Sequence, residues 1–122
     1  MIANNNEGAT MIASAPVQLP PTLTVTQATG VSVPQGAIPV NSSPFVIGRT
    51  EGSLVIPEPN VSRRHAQISY DTASRAYLLT DLNSSNGTRL NGQRLATGQS
   101  APLMNGAVIG LGPNVSIRFN LS

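Results

Sequence analysis

The alternation of apolar and polar residues near the end of the chain constrains the fold most. From residue 115 to residue 121 an apolar side chain occupies every second position, and the residues between are polar. A period of two places all the apolar side chains on one face of a strand, whereas a helix requires a period near 3.6. The pattern therefore predicts a half-buried β-strand over Val115–Leu121.

Several other segments have the same strand character. Leu23 and Val25 alternate with threonines, and the segment that begins at His65 carries apolar residues on one face. Further short apolar runs lie at Phe45–Ile47, Leu54–Ile56, Tyr77–Leu82 and Val108–Leu111. Gly, Pro, Asn and Ser residues interrupt the pattern about every eight to twelve residues, and no window shows the apolar stripe of a helix.

The dipeptide Asn91-Gly92 lies between Thr88–Leu90 and Gln93–Leu95. Both of its residues tolerate positive φ, so it predicts a two-residue type I′ hairpin. With two Phe, two Tyr and no Trp, the core must consist mostly of Val, Ile and Leu, which favour strands. We expect an all-β fold, a two-sheet antiparallel β-sandwich of about 10–11 short strands.

The length of 122 residues fits one domain with one core. Residues 1–21 are rich in Asn, Ala and Pro and are interpreted as a flexible tail or linker, which leaves residues 22–122 as the domain. No segment approaches the roughly 20 apolar residues that span a bilayer. We expect a cytoplasmic chain without direct membrane contact, although a longer parent protein could be membrane-tethered.

Composition excludes several functional classes. The chain has no cysteine, one histidine and five carboxylates, so we expect no metal site, no cofactor and no catalytic residues. A net charge of +2 without a basic run does not indicate nucleic-acid binding. All seven basic residues are arginine, whose planar guanidinium matches phosphate or carboxylate oxygens in a bidentate way.

Three short loop motifs lie close together in the sequence. They are Gly48-Arg49, then Ser62-Arg63-Arg64-His65, then Asn83-Ser84-Ser85-Asn86-Gly87-Thr88. Each follows or precedes a predicted strand. A phosphorylated side chain has three acceptor oxygens and a charge of about −1.5 to −2, and a site for such an anionic group needs arginine, neutral donors and a rigid frame. Together these motifs supply all three, whereas any one alone is no more than a surface arginine or a turn.

Each motif allows a specific interpretation. Gly48 lets the chain turn sharply after its strand and leaves Arg49 at a loop mouth. Adjacent arginines entering a strand point to opposite sides, so one of Arg63 and Arg64 is expected to serve the site. His65 lacks a cysteine or a clear serine-acid partner, so we expect it to hydrogen-bond loop backbone rather than act as a base.

The motifs and their order resemble those of the forkhead-associated (FHA) domain, a phosphothreonine-peptide-binding module. The resemblance covers residues 22–122 and implies a β-sandwich that binds phosphopeptides through loops at one end. The phosphopeptide-binding positions of the family correspond to Arg49, Ser62, Arg63, Ser85 and Asn86. Those that support the site correspond to Gly48, His65, Gly87 and Thr88. Two positions depart from the common pattern. The family often has threonine at the position of Ser85 and aspartate at the position of Ala107.

The resemblance implies a phosphothreonine-dependent protein-interaction domain, a monomer, in kinase-linked signalling or complex assembly. Its partner would be a phosphothreonine-containing protein or peptide. One alternative is a phosphate-independent domain that docks through a sheet face or edge. Another is a small hydrolase using Ser62 or Ser85 with His65 and Asp81, which lacks a recognisable oxyanion hole.

Two further expectations concern regulation and selectivity. A phosphorylated Thr10 in the tail could bind the domain's own pocket, since a short tether raises the effective concentration to the millimolar range. Selectivity among phosphopeptides is expected to come from three variable segments, namely Glu51–Ser53, Ser84–Ser85 and the Asp71–Arg75 turn.

Overall fold

The computed structural model describes residues 19–122. Residues 1–18, which hold Thr10 and most of the predicted tail, lie outside the described residues. The regular elements of the described part are eleven strands. They are β1 (Thr22–Ala28), β2 (Ile38–Pro39), β3 (Phe45–Gly48), β4 (Leu54–Val55), β5 (Ala66–Asp71), β6 (Ala76–Asp81), β7 (Thr88–Leu90), β8 (Gln93–Arg94), β9 (Ser100–Pro102), β10 (Val108–Leu111) and β11 (Val115–Asn120).

The strands form two sheets, which confirms the predicted β-sandwich. One sheet has five strands in the order β9-β6-β5-β3-β4, and the other has six in the order β2-β1-β11-β10-β7-β8. Neighbouring strands are antiparallel except for β3 and β4, where Ile47 pairs with Leu54 in a parallel register. The loop between β3 and β4 folds back along β3, because the Ser53 N–H donates to the Val46 carbonyl at 2.8 Å.

The inward faces of the two sheets supply the core. The C-terminal strand has Val115, Ile117 and Phe119 buried on one side, as its alternation predicts. Leu121 lies beyond the end of β11 and is 47% exposed, so the strand stops one residue before the predicted end. In the other sheet, β5 buries Ile68. Apolar burial between the sheets is the main favourable contribution to such a fold.

The Asn91-Gly92 turn has the predicted hairpin geometry. Asn91 and Gly92 have φ values of 52° and 85°, the positive pair that a type I′ turn requires. Arg89 pairs with Arg94 and Leu90 with Gln93 across it. By contrast, β2 and β9 were not predicted, because both are edge strands of two or three residues that contain a proline and lack apolar alternation.

The directions of the strands bring the three motif loops to one end of the sandwich. β3 and β6 end there with Gly48 and Asp81, and β5 and β7 begin there with Ala66 and Thr88. The hairpin between β5 and β6 turns at the other end of these strands, where Asp71 pairs with Ala76. The expectation that the Asp71–Arg75 turn contributes to selectivity is therefore wrong, because an antiparallel hairpin places its turn a full strand length from its open ends.

The residues just before β1 differ in how they pack against the domain. Pro21 is buried, and its carbonyl accepts a hydrogen bond from the Val40 N–H at 2.8 Å. Leu19 is 69% exposed. No helix within residues 19–122 is long and apolar enough to cross a membrane.

The core strand β11 provides a test of the packing. Ile117→Ala should lower the free energy of unfolding by about 2–5 kcal/mol, because it leaves a cavity between the sheets. The measurement is urea denaturation followed by circular dichroism. Val108→Ala is the control, since Val108 is 42% exposed on the adjacent strand and should cost less than about 1 kcal/mol. Equal losses in both variants would contradict the assignment of Ile117 to the core.

Candidate functional site

One open groove at the loop end contains all five predicted binding residues. Its volume is about 340 Å³. The predicted residues that line it are Arg49, Ser62, Arg63, Ser85 and Asn86. The remaining lining residues are Pro59, Asn60, Val61, Arg64 and Asn83. Because they come from three separate loops, their arrangement depends on the contacts that hold these loops together.

Gly48 lets the first two loops approach each other. The Arg49 N–H donates to the Ser62 carbonyl at 2.9 Å, and the Glu51 N–H donates to the Arg63 carbonyl at 3.3 Å. A Cβ on Gly48 would collide with the carbonyl oxygens of Arg63 and Glu51. Gly48 is the last residue of β3 and not a turn residue, so the predicted reason for the glycine is wrong: the position requires space for a neighbouring backbone.

His65 joins the second and third loops. Its Nδ1 accepts from the Ser62 N–H at 3.0 Å, and its Nε2 lies 2.9 Å from the Gly87 carbonyl oxygen. A carbonyl can only accept, so Nε2 carries the proton and the ring is neutral. The side chain is fully buried. Burial lowers the pKa of His65, and the opposing effects of the Gly87 carbonyl and the Asp81 charge do not cancel that shift.

Asp81 holds the third loop from inside. Its Oδ1 accepts from the Ser84 hydroxyl at 2.5 Å and the Thr88 hydroxyl at 2.7 Å, and its Oδ2 accepts from the Ser84 N–H at 3.2 Å. The Ser84 hydroxyl in turn accepts from the Gly87 N–H at 3.0 Å. Burial raises the pKa of Asp81, but the hydrogen bonds from Ser84 and Thr88 outweigh it and leave the pKa below its ordinary value.

Ser62 and Ser85 meet at the groove. The Ser85 N–H donates to the Ser62 hydroxyl oxygen at 2.9 Å. This contact uses a lone pair of Ser62 and leaves its hydroxyl proton available for an anion. The Ser85 side chain is exposed, whereas Ser62 and Arg49 are half-buried.

Asn86 lies against the loop that precedes Ser62. Its amide nitrogen donates to the Asn60 carbonyl at 2.9 Å, which leaves its carbonyl oxygen and its second N–H free. The buried carboxylate of Glu58 fixes Asn60, accepting from the Asn60 backbone N–H at 2.9 Å and its side-chain amide at 3.0 Å. A third donor, the Asn114 amide, lies 3.1 Å from the same carboxylate.

The arginines at the groove differ in their partners. Arg63 Nε lies 3.6 Å from a carboxylate oxygen of Glu51, and both side chains are largely exposed. Arg64 forms no ion pair with any of the residues from 19 to 122. Both arginines line the groove, and which of the two serves the site stays a prediction.

The sequence analysis assigned no role to three residues of this region. Asn60 and Asn83 line the groove, and Glu58 supports it from below. The available signal was the sequence Pro57-Glu58-Pro59-Asn60, in which a carboxylate between two prolines is followed by an asparagine that can bond to it. A buried carboxylate in such a loop is only identifiable once the fold shows what covers it.

The comparisons with known proteins agree on one family. The sequence model of the FHA domain matches residues 45–112. The chain is 43% identical over 56 residues to a human protein named angiogenic factor with G patch and FHA domains 1, and this alignment covers 43% of the chain and 8% of that protein. The chain therefore spans less than a tenth of the curated relatives that it matches.

Solved structures show the same likeness. Mycobacterium tuberculosis EmbR in complex with a low-affinity phosphopeptide superposes with a TM-score of 0.68 at 29% identity, covering 84% of this chain and 24% of that chain. A structure from an analysis of phosphothreonine-dependent FHA domain interactions superposes with a TM-score of 0.68 at 31% identity. That match covers 84% of this chain and 96% of the other.

A substitution at Gly48 tests the contact between the first two loops. Gly48→Ala should lower the free energy of unfolding by more than about 2 kcal/mol, because the added methyl meets backbone that cannot move aside. Gly110→Ala is the matched control, since Gly110 also lies in a strand and its Cβ would make only ordinary contacts. Urea denaturation of both variants measures the difference, and similar losses would contradict the close approach at Gly48.

The buried neutral His65 predicts a pH dependence of stability. Because its folded pKa lies below its ordinary value of 6.5, the unfolded chain binds the extra proton more readily. The free energy of unfolding should therefore be fully retained above pH 6.5 and fall as the pH decreases through the folded pKa. Chemical denaturation between pH 7.5 and pH 5 measures this loss.

His65→Gln supplies the control for that pH dependence. It should unfold more easily at every pH and lack the part of the slope that His65 contributes. The carboxylates of Glu58 and Asp81, whose pKa values also lie below their ordinary values of 4.5 and 3.8, add a slope only as the pH falls toward those values, and both residues remain in the variant. Identical slopes in the parent and the variant would contradict the neutral bridge.

Proposed function

The chain belongs to the FHA domain family, and we propose that it binds phosphothreonine-containing proteins through the groove at its loop end. FHA domains are interaction modules that recognise phosphothreonine peptides. In this chain the phosphate contacts are assigned to Arg49, Ser62, Arg63 and Ser85. The observation that carries the proposal is the convergence of these side chains, from three loops, on one open groove.

The chemistry of the groove suits a dianion. Arg49 and Arg63 offer guanidinium N–H groups, which form charge-assisted hydrogen bonds to phosphate oxygens. The hydroxyls of Ser62 and Ser85 are neutral donors for the remaining lone pairs. The Glu51 carboxylate beside Arg63 is exposed and held at 3.6 Å, so a phosphate can displace it at little cost.

Asn86 is assigned to the main chain of the bound peptide. Its free carbonyl oxygen and second N–H match the N–H and C=O of an extended backbone. The hydrogen bond to Asn60 fixes the amide before the ligand arrives, which reduces the ordering that binding requires. A preference for phosphothreonine over phosphoserine would depend on positioning, since burial of one methyl contributes only about 0.8 kcal/mol.

The proposed function is non-catalytic. A serine hydrolase would need His65 to accept a proton from a serine hydroxyl. Both ring nitrogens of His65 are instead engaged by loop backbone, at Ser62 and Gly87. Asp81 is engaged by Ser84 and Thr88 and makes no hydrogen bond to the histidine within the described part of the chain. The same groups that would form a triad are used to hold the loops.

The proposal also covers the boundaries, the cellular location and the oligomeric state of the domain. We assign it to residues 22–122, because β1 pairs with the C-terminal β11 and is needed to complete the six-stranded sheet. It acts as a cytoplasmic monomer, with neither nucleic acid nor a membrane as its ligand. Its edge strands have two or three residues each, and two of them contain proline, which disfavours strand addition by a partner.

An NMR titration of the isotope-labelled chain tests the proposed function. A peptide pool with a central phosphothreonine should shift the amide signals of Arg49, Ser62, Arg63, Ser85 and Asn86. The matched pool with unmodified threonine should leave them in place, and a phosphoserine pool reports on selectivity for the residue. Shifts that cluster away from this groove, or that also occur with the unmodified pool, would favour phosphate-independent docking.

A variant pair tests the assignment of the phosphate contacts. Arg49→Ala should weaken phosphopeptide binding by about 10- to 150-fold, the range for a hydrogen bond to a charged group, while the fold remains intact. Fluorescence anisotropy measures the affinity. Arg118→Ala is the control, because it removes the same charge from an exposed position on β11. Arg49→Ala binding as tightly as the parent would show that the phosphate lies elsewhere.

A further inference from the structure

A second groove adjoins the proposed phosphate groove. Its volume is about 490 Å³. Its walls are formed by Arg64, Thr80, Asp81, Leu82, Asn83, Thr97 and Gly98. Arg64 and Asn83 also line the phosphate groove, so the two grooves share a border at these side chains.

The frame of the phosphate site also fixes the walls of this second groove. The Leu82 N–H donates to the His65 carbonyl at 2.9 Å, and the Gly98 N–H donates to the Asp81 carbonyl at 3.2 Å. Asn83 has a φ of 62°, a conformation that asparagine tolerates better than most residues. The walls of the second groove are therefore bonded to His65 and Asp81, the two residues that also hold the motif loops.

Arg64 provides the available charge of the second groove. Its neighbour Arg63 has Glu51 at 3.6 Å, whereas Arg64 is exposed and has no carboxylate partner among the residues from 19 onward. Asp81 is the acidic residue in the wall, but it is only 3% exposed, and its two oxygens accept hydrogen bonds from Ser84 and Thr88. An anion that enters the groove meets an unpaired guanidinium and a shielded carboxylate.

We propose that the second groove receives an acidic side chain of the phosphothreonine ligand and that Arg64 selects it. The inference rests on the proposed function, because the phosphate anchors the peptide in the first groove. The two grooves share a border and an extended peptide advances about 3.3 Å per residue, so the carboxylate is assigned to a position within about three residues of the phosphothreonine. Arg64 is thus a specificity-determining residue, distinct from the residues that bind the phosphate.

A position scan of synthetic peptides tests this inference. Each peptide has a central phosphothreonine in an alanine background and one glutamate, glutamine or lysine at a position from three residues before to three residues after it. Glutamine has the shape of glutamate without its charge. At one position or more, the parent should bind the glutamate peptide about two- to fivefold more tightly than the glutamine peptide, as for a partly exposed ion pair.

Three variants separate the role of Arg64 from a general charge effect. Arg64→Gln should abolish the glutamate preference, and Arg64→Glu should replace it with a preference for lysine at the same position. Arg118→Gln removes the same charge from β11, on the other sheet, and should leave the preference unchanged. Since Arg64 is exposed, circular dichroism should show that all three variants are folded.

The outcomes distinguish the inference from the function on which it rests. If the parent binds the phosphothreonine peptide but not its unmodified form, and no position responds to Arg64, the inference alone is wrong. If phosphorylation of the threonine does not improve binding anywhere in the series, both are wrong. A glutamate preference that survives Arg64→Gln would place the acidic subsite on other residues and also overturn the inference.

Discussion

The site depends on the buried imidazole of His65, which joins two loops that are far apart in the sequence. One ring nitrogen accepts from the Ser62 N–H, and the other donates to the Gly87 carbonyl. The Gly87 carbonyl also accepts from the Gly112 N–H at 3.0 Å, so a third loop is tied to the same point. A neutral, fully buried ring can satisfy both contacts at once. Protonation would remove the acceptor and separate the loops.

A second constraint is how the buried carboxylates at the loop end of the sandwich obtain hydrogen bonds. Glu58 and Asp81 are 2% and 3% exposed, and buried carboxylates require hydrogen-bond donors. Asparagine amides, serine and threonine hydroxyls and backbone N–H groups provide these donors. No arginine is used for this purpose in the described part of the chain, and Arg49, Arg63 and Arg64 line the groove. The loops are thus held by neutral groups, and the cationic groups stay available for an anion.

Much of the fold was predictable from local patterns. The alternation at Val115–Phe119, the strand after His65 and the Asn91-Gly92 turn all depend on near neighbours, and each has the predicted form. Other elements depend on distant partners. The parallel pairing of β3 with β4 and the bulge in β1 opposite Ser116 and Ile117 are set by the neighbouring strands. β2 and β9 exist only because β1 and β6 offer free edges.

The sequence alone determined which residue types the loops carry and approximately where the longer strands lie, because those properties depend on spacing of two to four residues. It identified Arg49, Ser62, Arg63, Ser85 and Asn86 as the groups that could form one site. Only the tertiary structure placed them in one groove, explained Gly48 by the backbone beside it, and revealed Glu58 and the second groove at Arg64. These features arise from contacts between residues that are distant in sequence, and such contacts exist only after the two sheets have packed.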